Sequence, residues 1–143
     1  MPVLEIPYPN EFSFELCLQF LRRSPREVLH RVEDEKVYKL LEINHELVLF
    51  SVKDAKDKLL VDFTGRAPSK PAREFVKQYV TEWFDLETNL KPFYKMARKD
   101  NLLSGLVKKF YGYRIVGQPD LFESLVWAVL GQQINLQFAY TLK

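Results

Sequence analysis

The stretch of residues 119–135 reads PDLFESLVWAVLGQQIN and carries the clearest structural pattern in the chain. Its apolar residues recur at three- and four-residue spacing, and Trp127 adds an apolar side chain to the opposite side, so the predicted helix is apolar around almost its whole circumference. Asp120 can cap the helix start, and Glu123 can return a hydrogen bond to complete a capping box. A helix of this composition is expected to lie at the centre of a core.

A second apolar segment follows directly. Asn135 can cap a further helix, and no Gly, Pro or polar turn closes that helix before Lys143. Burial of each large apolar side chain contributes about 1.5–3 kcal/mol, so two such helices need partners that cover them. We therefore expect the 143 residues to be part of a longer protein, and the chain to self-associate through residues 120–143.

The first half of the chain has the period-two alternation of a sheet. Residues 47–52 and 59–64 are predicted to be two strands, and residues 29–33 and 36–43 are predicted to form a hairpin before them. Residues 12–23 fit a strand or a helix equally well by their own spacing. The first half therefore predicts an antiparallel sheet with one element undecided.

Helices are predicted to follow the sheet. Gly65 and two prolines close the sheet, and Ser69 is expected to cap a long helix. That helix carries an aromatic stripe, which we interpret as core packing, with base stacking as the alternative: Phe75, Tyr79, Trp83 and Phe84. Two shorter helices are predicted before Gly112, the first from Thr88 to about Arg98.

Composition narrows the classes of function. A hydrophobic content of 47% with 14% aromatic residues is typical of a globular domain. No stretch reaches the ~18 apolar residues that a membrane span needs, and the start lacks a basic leader, so a cytoplasmic protein without a membrane partner is expected. Cys17, His30 and His45 do not make a zinc set, and no metal or cofactor is expected.

The net charge of +2 is unevenly distributed. Residues 66–114 hold 11 basic and 5 acidic side chains, whereas residues 1–65 hold 9 basic and 12 acidic ones. The basic excess fits contacts with a phosphate backbone, and it fits a solvated helix face as well. The cations concerned are Lys91, Lys95, Arg98, Lys99, Lys108 and Lys109.

Residues 112–123 (GYRIVGQPDLFE) and 131–135 (GQQIN) resemble the opening of the catalytic domain in helix-hairpin-helix DNA glycosylases of the DNA-3-methyladenine glycosylase II type. The resemblance implies an α+β fold class. Residues 1–111 would be an N-terminal domain, an antiparallel β-sheet with packed helices, and residues 112–143 would be the first helices of an all-α glycosylase domain that is cut short. It also favours a short strand at residues 12–14 and then a helix to Arg23.

The implied activity belongs to base excision repair. Such an enzyme flips an alkylated purine, such as 3-methyladenine, out of double-stranded DNA and hydrolyses its N-glycosidic bond. By resemblance, the loop that enters the minor groove is made of Gln132, Gln133, Ile134 and Asn135, with Gln133 filling the vacated space, and Phe20 is an aromatic wall of the substrate pocket. The residues alone leave other interpretations open, because the glutamines also fit hydrogen bonding to a helix end and Phe20 also fits a core position.

No general base can be nominated within the chain. Asp120 and Glu123 are assigned to capping, and Asp100 lies between helices. The resemblance places the catalytic aspartate and a Gly-rich helix-hairpin-helix beyond Lys143, so the chain alone is expected to be inactive. The alternative function is a non-enzymatic α+β interaction module whose terminal apolar helices dock on a partner protein.

Overall fold

The structure is a computed structural model that describes residues 3–143, so residues 1 and 2 of the predicted N-terminal domain lie outside the described residues. The strands are β1 (Val3–Pro7), β2 (Arg31–Glu33), β3 (Lys36–Ile43), β4 (Glu46–Asp54) and β5 (Lys58–Phe63). The helices are α1 (Phe14–Leu21), α2 (Lys70–Trp83), α3 (Lys91–Ala97), α4 (Leu103–Lys109), α5 (Leu121–Leu130) and α6 (Leu136–Leu142). The fold class is α+β, as predicted.

The five strands form one antiparallel sheet in the order β1-β5-β4-β3-β2. The predicted hairpin is confirmed as β2 and β3, and the two later strands are confirmed as β4 and β5. Asn44 and His45 join β3 to β4 with φ angles of 51° and 65°, the left-handed pair that a two-residue hairpin turn needs. The alternation and the turn residues together determine the register.

The core lies between one face of the sheet and the helices α1 and α2. Tyr79, Trp83 and Phe84 are buried there, which confirms that the aromatic stripe is core. The interpretation is wrong for Phe75, which is 51% exposed. The buried face of α2 is centred on Ala72, Val76, Tyr79, Val80 and Trp83, and position 75 lies on its flank at 100° per residue.

The strand expected at residues 12–14 is wrong. The first strand is β1, which pairs with β5 and buries Ile6. Ser13 instead caps α1, because its hydroxyl accepts a hydrogen bond from the backbone nitrogen of Leu16 at 3.4 Å. An N-cap residue has extended dihedrals without belonging to a strand, which explains the misleading alternation at this point.

The last two helices begin where the sequence predicted. Asp120 accepts a hydrogen bond from the Glu123 nitrogen at 2.7 Å, and Asn135 accepts one from the Phe138 nitrogen at 2.9 Å. No residue of α5 is buried, and Phe122 is 76% exposed. Among the described residues, α5 therefore does not lie at the centre of a core, contrary to the expectation, and most of its large apolar side chains are exposed.

Cys17 is buried in the core, and burial raises the pKa of its thiol to about 11, so it stays protonated. Within residues 3–143, no three His, Cys, Asp or Glu side chains are grouped as metal ligands. Nor does this part of the chain contain a helix long and apolar enough to cross a bilayer.

Candidate functional site

The turn between α5 and α6 carries the residues predicted to contact DNA. Gln132, Gln133 and Asn135 are exposed, and Ile134 is half-buried. Gln133 has a φ angle of 56°, a left-handed conformation that is uncommon for a residue other than glycine. This conformation also occurs in ordinary turns, as at Asn44 and His45, and at functional sites it can direct a side chain away from the regular element.

The alternative for the two glutamines was hydrogen bonding to a helix end. The hydrogen bonds at the end of α5 are made by the backbone instead. The Gly131 nitrogen donates to the Trp127 oxygen at 2.9 Å, and the Gln132 nitrogen donates to the Val129 oxygen at 3.2 Å. In the part of the chain that the structure describes, neither glutamine side chain hydrogen bonds to a helix end. Both amide groups are therefore available to a ligand.

A cavity of about 260 Å³ lies where α1, β3, α2, α5 and the end of α6 meet. Its aromatic walls are Phe20, Tyr79, Trp83 and Trp127, and its charged walls are Arg23, Glu27, Lys39, Glu123 and Lys143. The predicted pocket residue Phe20 is thus in a cavity wall. The cavity joins the sheet part of the chain to its last two helices.

Phe20 has one ring face covered by a cation. The Arg23 guanidinium carbon lies 4.0 Å from the centre of the Phe20 ring, and the Arg23 Nε donates to the Tyr140 hydroxyl at 2.8 Å. This contact links α1 to α6. A flat ligand could therefore stack on Phe20 only from the other face, unless Arg23 moves.

Lys39 and Glu123 form a buried ion pair across the same cavity. The Lys39 Nζ lies 2.8 Å from Glu123 Oε1 and 3.1 Å from Oε2, and the Lys39 side chain is only 3% exposed. The predicted capping box is therefore wrong in its second half. Asp120 caps α5, but the Glu123 carboxylate bonds to the lysine, because an unpaired buried ammonium ion is far more costly than an exposed helix amide.

A second ion pair closes the other end of the cavity. The Lys143 Nζ donates to both Glu27 carboxylate oxygens, at 2.7 and 2.9 Å, and lies 4.8 Å from the centre of the Trp127 ring. Burial would raise the pKa of Glu27, but hydrogen bonds from Lys143 and from the Leu29 nitrogen hold it below its usual value. His30 lies in the same wall, where burial lowers the pKa of its imidazole.

Both carboxylates that line the cavity are thus paired with lysines and unavailable as general bases. Neither ion pair was predicted from the sequence. Lys39 did carry a signal, because it occupies an inward-facing position of β3 between Val37 and Leu41, where the alternation calls for an apolar residue. Glu123, the partner of Lys39, carried no comparable signal in the sequence.

Comparisons with known proteins agree on one group. Residues 7–125 match the family described as 8-oxoguanine DNA glycosylase, N-terminal domain. The chain is similar to a curated DNA-3-methyladenine glycosylase of Bacillus subtilis (strain 168), with 42% identity over 144 residues, which cover 99% of this chain and 48% of the relative. The chain therefore spans about half the length of the curated relative it matches.

Two solved structures share the fold. The 3-methyladenine DNA-glycosylase from Archaeoglobus fulgidus superposes with a TM-score of 0.74 at 21% identity, over 98% of this chain and 47% of that one. MBOgg1 in complex with a low-affinity DNA ligand superposes with a TM-score of 0.63 at 19% identity, over 96% of this chain and 43% of that one. At these identities the likeness concerns the fold.

Proposed function

We propose, from the premise that this chain belongs to the family of 8-oxoguanine DNA glycosylase N-terminal domains, that the complete protein is a base-excision-repair DNA glycosylase. Its substrates are alkylated purines such as 3-methyladenine in double-stranded DNA, in keeping with the name of the relative that is 42% identical. The structural observation that carries the proposal is the exposed turn at Gln133, with its left-handed backbone and its available amide. Such an enzyme works on cellular DNA, which implies an intracellular location.

The two parts of the chain have different roles in this proposal. Residues 1–111 are the N-terminal α+β domain, and residues 112–143 begin the glycosylase domain. The boundary is supported by Gly112, which has a φ angle of 84° and opens an irregular segment that reaches as far as Asp120. The family match, over residues 7–125, extends across it.

In the proposed base-flipping mechanism, each site residue has a separate role. Extrusion of a base costs a few kcal/mol, and a side chain that fills the gap offsets part of this cost. Gln133 suits this task, because its methylene groups fill the gap and its amide can hydrogen bond to the orphaned base. Gln132, Ile134 and Asn135 contact the minor groove around it, and Phe20 forms a wall of the substrate pocket. The catalytic aspartate lies in the remainder of the complete protein.

Gln133→Ala is expected to slow excision by the complete protein about tenfold, the effect of losing about 1.4 kcal/mol of transition-state stabilisation. The measurement is single-turnover release of 3-methyladenine from methylated duplex DNA, with binding to an abasic-site analogue as a second readout. The 143-residue chain alone is expected to release no base and serves as the blank. Gln137→Ala is the matched control, since Gln137 is also exposed but lies on α6 outside the turn.

Equal rates and affinities for the Gln133→Ala variant and the parent would contradict the role of Gln133. Release of 3-methyladenine by the 143-residue chain would contradict the placement of the catalytic aspartate. A complete protein that releases no alkylated base would overturn the proposed function itself and would favour the interaction module.

The isolated chain is expected to self-associate through residues 120–143, because α5 and α6 expose many large apolar side chains: Leu121, Phe122, Leu125, Val129, Leu136, Phe138 and Leu142. Leu121→Glu combined with Val129→Glu is expected to weaken association more than tenfold in sedimentation across a concentration series. Leu47→Glu, at an equally exposed leucine on β4, is the control. A chain that stays monomeric, with residues 120–143 protected from hydrogen exchange, would refute the expectation.

A further inference from the structure

Helices α3 and α4 form a strongly basic unit. Residues 91–109 contain six basic side chains, all of them exposed, at positions 91, 95, 98, 99, 108 and 109, and one acidic side chain, Asp100. The Asp100 carboxylate is occupied locally, because it accepts hydrogen bonds from the backbone nitrogens of Leu102 at 2.8 Å and Leu103 at 2.9 Å. The unit therefore presents almost uncompensated positive charge.

Four of these cations share one face, which we call the basic stripe: Lys91, Lys95, Arg98 and Lys99. Their spacing of three and four residues places them side by side on and just beyond α3. All four are exposed, and none has an ion-pair partner among residues 3–143. Like charges at this spacing repel one another weakly, and a polyanionic ligand would relieve that repulsion.

The stripe is held on a fixed support. On the buried side of α3, Tyr94 and Ala97 pack with Val107 of α4. The Tyr94 hydroxyl accepts a hydrogen bond from the Gly112 nitrogen at 2.9 Å, and the Gly112 oxygen accepts one from the Ser13 nitrogen at 2.8 Å. The cations therefore project from an element that is tied to α1 and to the segment that leads into α5.

We propose that the basic stripe binds the phosphates of undamaged duplex DNA beside the lesion, as a second contact in addition to the turn at Gln133. The proposal rests on the proposed function and adds a sequence-independent holding surface to it. Residues 91–99 span roughly 12 Å at helical rise, and one DNA strand presents about three or four phosphates over that length. The number of cations thus matches the number of phosphates within reach.

The test uses the 143-residue chain and a short fluorescein-labelled undamaged duplex, with anisotropy measured between about 50 and 200 mM salt. Replacing Lys91, Lys95 and Lys99 together by Gln is expected to weaken binding at least tenfold at the lowest salt. The slope of log affinity against log salt is expected to become shallower by roughly 2–3, because each lost phosphate contact removes about 0.9.

The matched control replaces three exposed lysines outside the stripe, Lys56, Lys70 and Lys77, by Gln, which changes the net charge by the same amount. Its affinity is expected to stay within about threefold and its salt slope to stay unchanged, since exposed charges are screened beyond about 10 Å at 0.1 M salt. Circular dichroism of both triple variants excludes misfolding as the cause. Equal losses of duplex affinity in the two variants would overturn the inference and attribute binding to net charge alone. Unchanged affinity in both variants would overturn it too, because the stripe would then be only a solvated helix face.

Two further outcomes separate this inference from its premise. If the stripe variant binds duplex like the parent while Gln133→Ala still slows excision by the complete protein, the inference fails and the proposed function stands. If the stripe variant loses DNA binding and the complete protein excises no alkylated base, the stripe is a DNA-binding surface of a protein with another activity. Tighter binding to phosphatidylserine vesicles than to duplex, compared per phosphate, would overturn the choice of DNA.

Discussion

Gly112→Ala is expected to lower the free energy of unfolding by more than about 4 kcal/mol, at the extreme of single substitutions. A Cβ at this position would lie 2.7 Å from the carbonyl carbon of Phe12 and 2.8 Å from the nitrogen of Ser13, both of them backbone atoms. Neither can rotate away as a side chain would. The φ angle of 84° adds a second penalty, because an L-residue is strained there.

Gly65→Ala separates the two penalties. Gly65 also has a φ angle of 84°, but a Cβ there would meet nothing within 4 Å. Gly65→Ala is expected to lower the free energy of unfolding by only about 1–2 kcal/mol, which is the cost of the left-handed backbone alone. Urea unfolding of both variants measures the difference. A Gly112→Ala variant no less stable than Gly65→Ala would show that the contact between the 12–13 backbone and Gly112 is dispensable.

Glu123→Ala is expected to lower the free energy of unfolding by about 3 kcal/mol, because it leaves the Lys39 ammonium ion buried without its partner. Since no residue of α5 is buried, the loss should first appear as undocking of that helix, seen as faster hydrogen exchange of its amides. Lys39→Met is expected to lower the free energy of unfolding less than Glu123→Ala does, because the Glu123 carboxylate that it leaves unpaired is 20% exposed and can reach water.

The double variant Lys39→Met with Glu123→Leu is expected to recover most of the stability, since an apolar pair of similar volume avoids the desolvation of two charges. Glu74→Ala, at an exposed carboxylate of α2, is the control and should stay within about 0.5 kcal/mol of the parent. The variants are compared by urea unfolding followed by tryptophan fluorescence, together with hydrogen exchange. If Glu123→Ala matches this control, α5 is held by something other than the ion pair.

Three polar contacts around the cavity connect the two parts of the chain. Lys39 with Glu123, Glu27 with Lys143 and Arg23 with Tyr140 each join the α+β part to α5 or α6. The turn at Gln133 lies between these two helices. If the turn contacts DNA as proposed, its position depends on polar contacts made by the α+β part, and Glu123→Ala should impair excision as well as stability.

Local signals were sufficient for most of the elements. Period-two alternation located β3, β4 and β5, and the caps Ser69, Asp120 and Asn135 started their helices where expected. These features depend on residues within a few positions of one another, which is why a sequence displays them. The same kind of signal left residues 12–23 undecided, and the strand that the resemblance favoured at 12–14 is wrong, because an extended N-cap and a short strand share the same local dihedrals.

From the sequence alone we obtained the antiparallel sheet from β2 to β5, the helices that follow it, and the resemblance that the family match confirms, but not β1. Only the tertiary structure decided which charges meet. Glu123 lies 84 residues from Lys39, and Lys143 lies 116 residues from Glu27, so no periodicity along the chain relates them. The physical reason is burial. The sheet places the Lys39 side chain inside the protein, where an unpaired ammonium ion is costly, so it pairs with the carboxylate that the fold brings within reach.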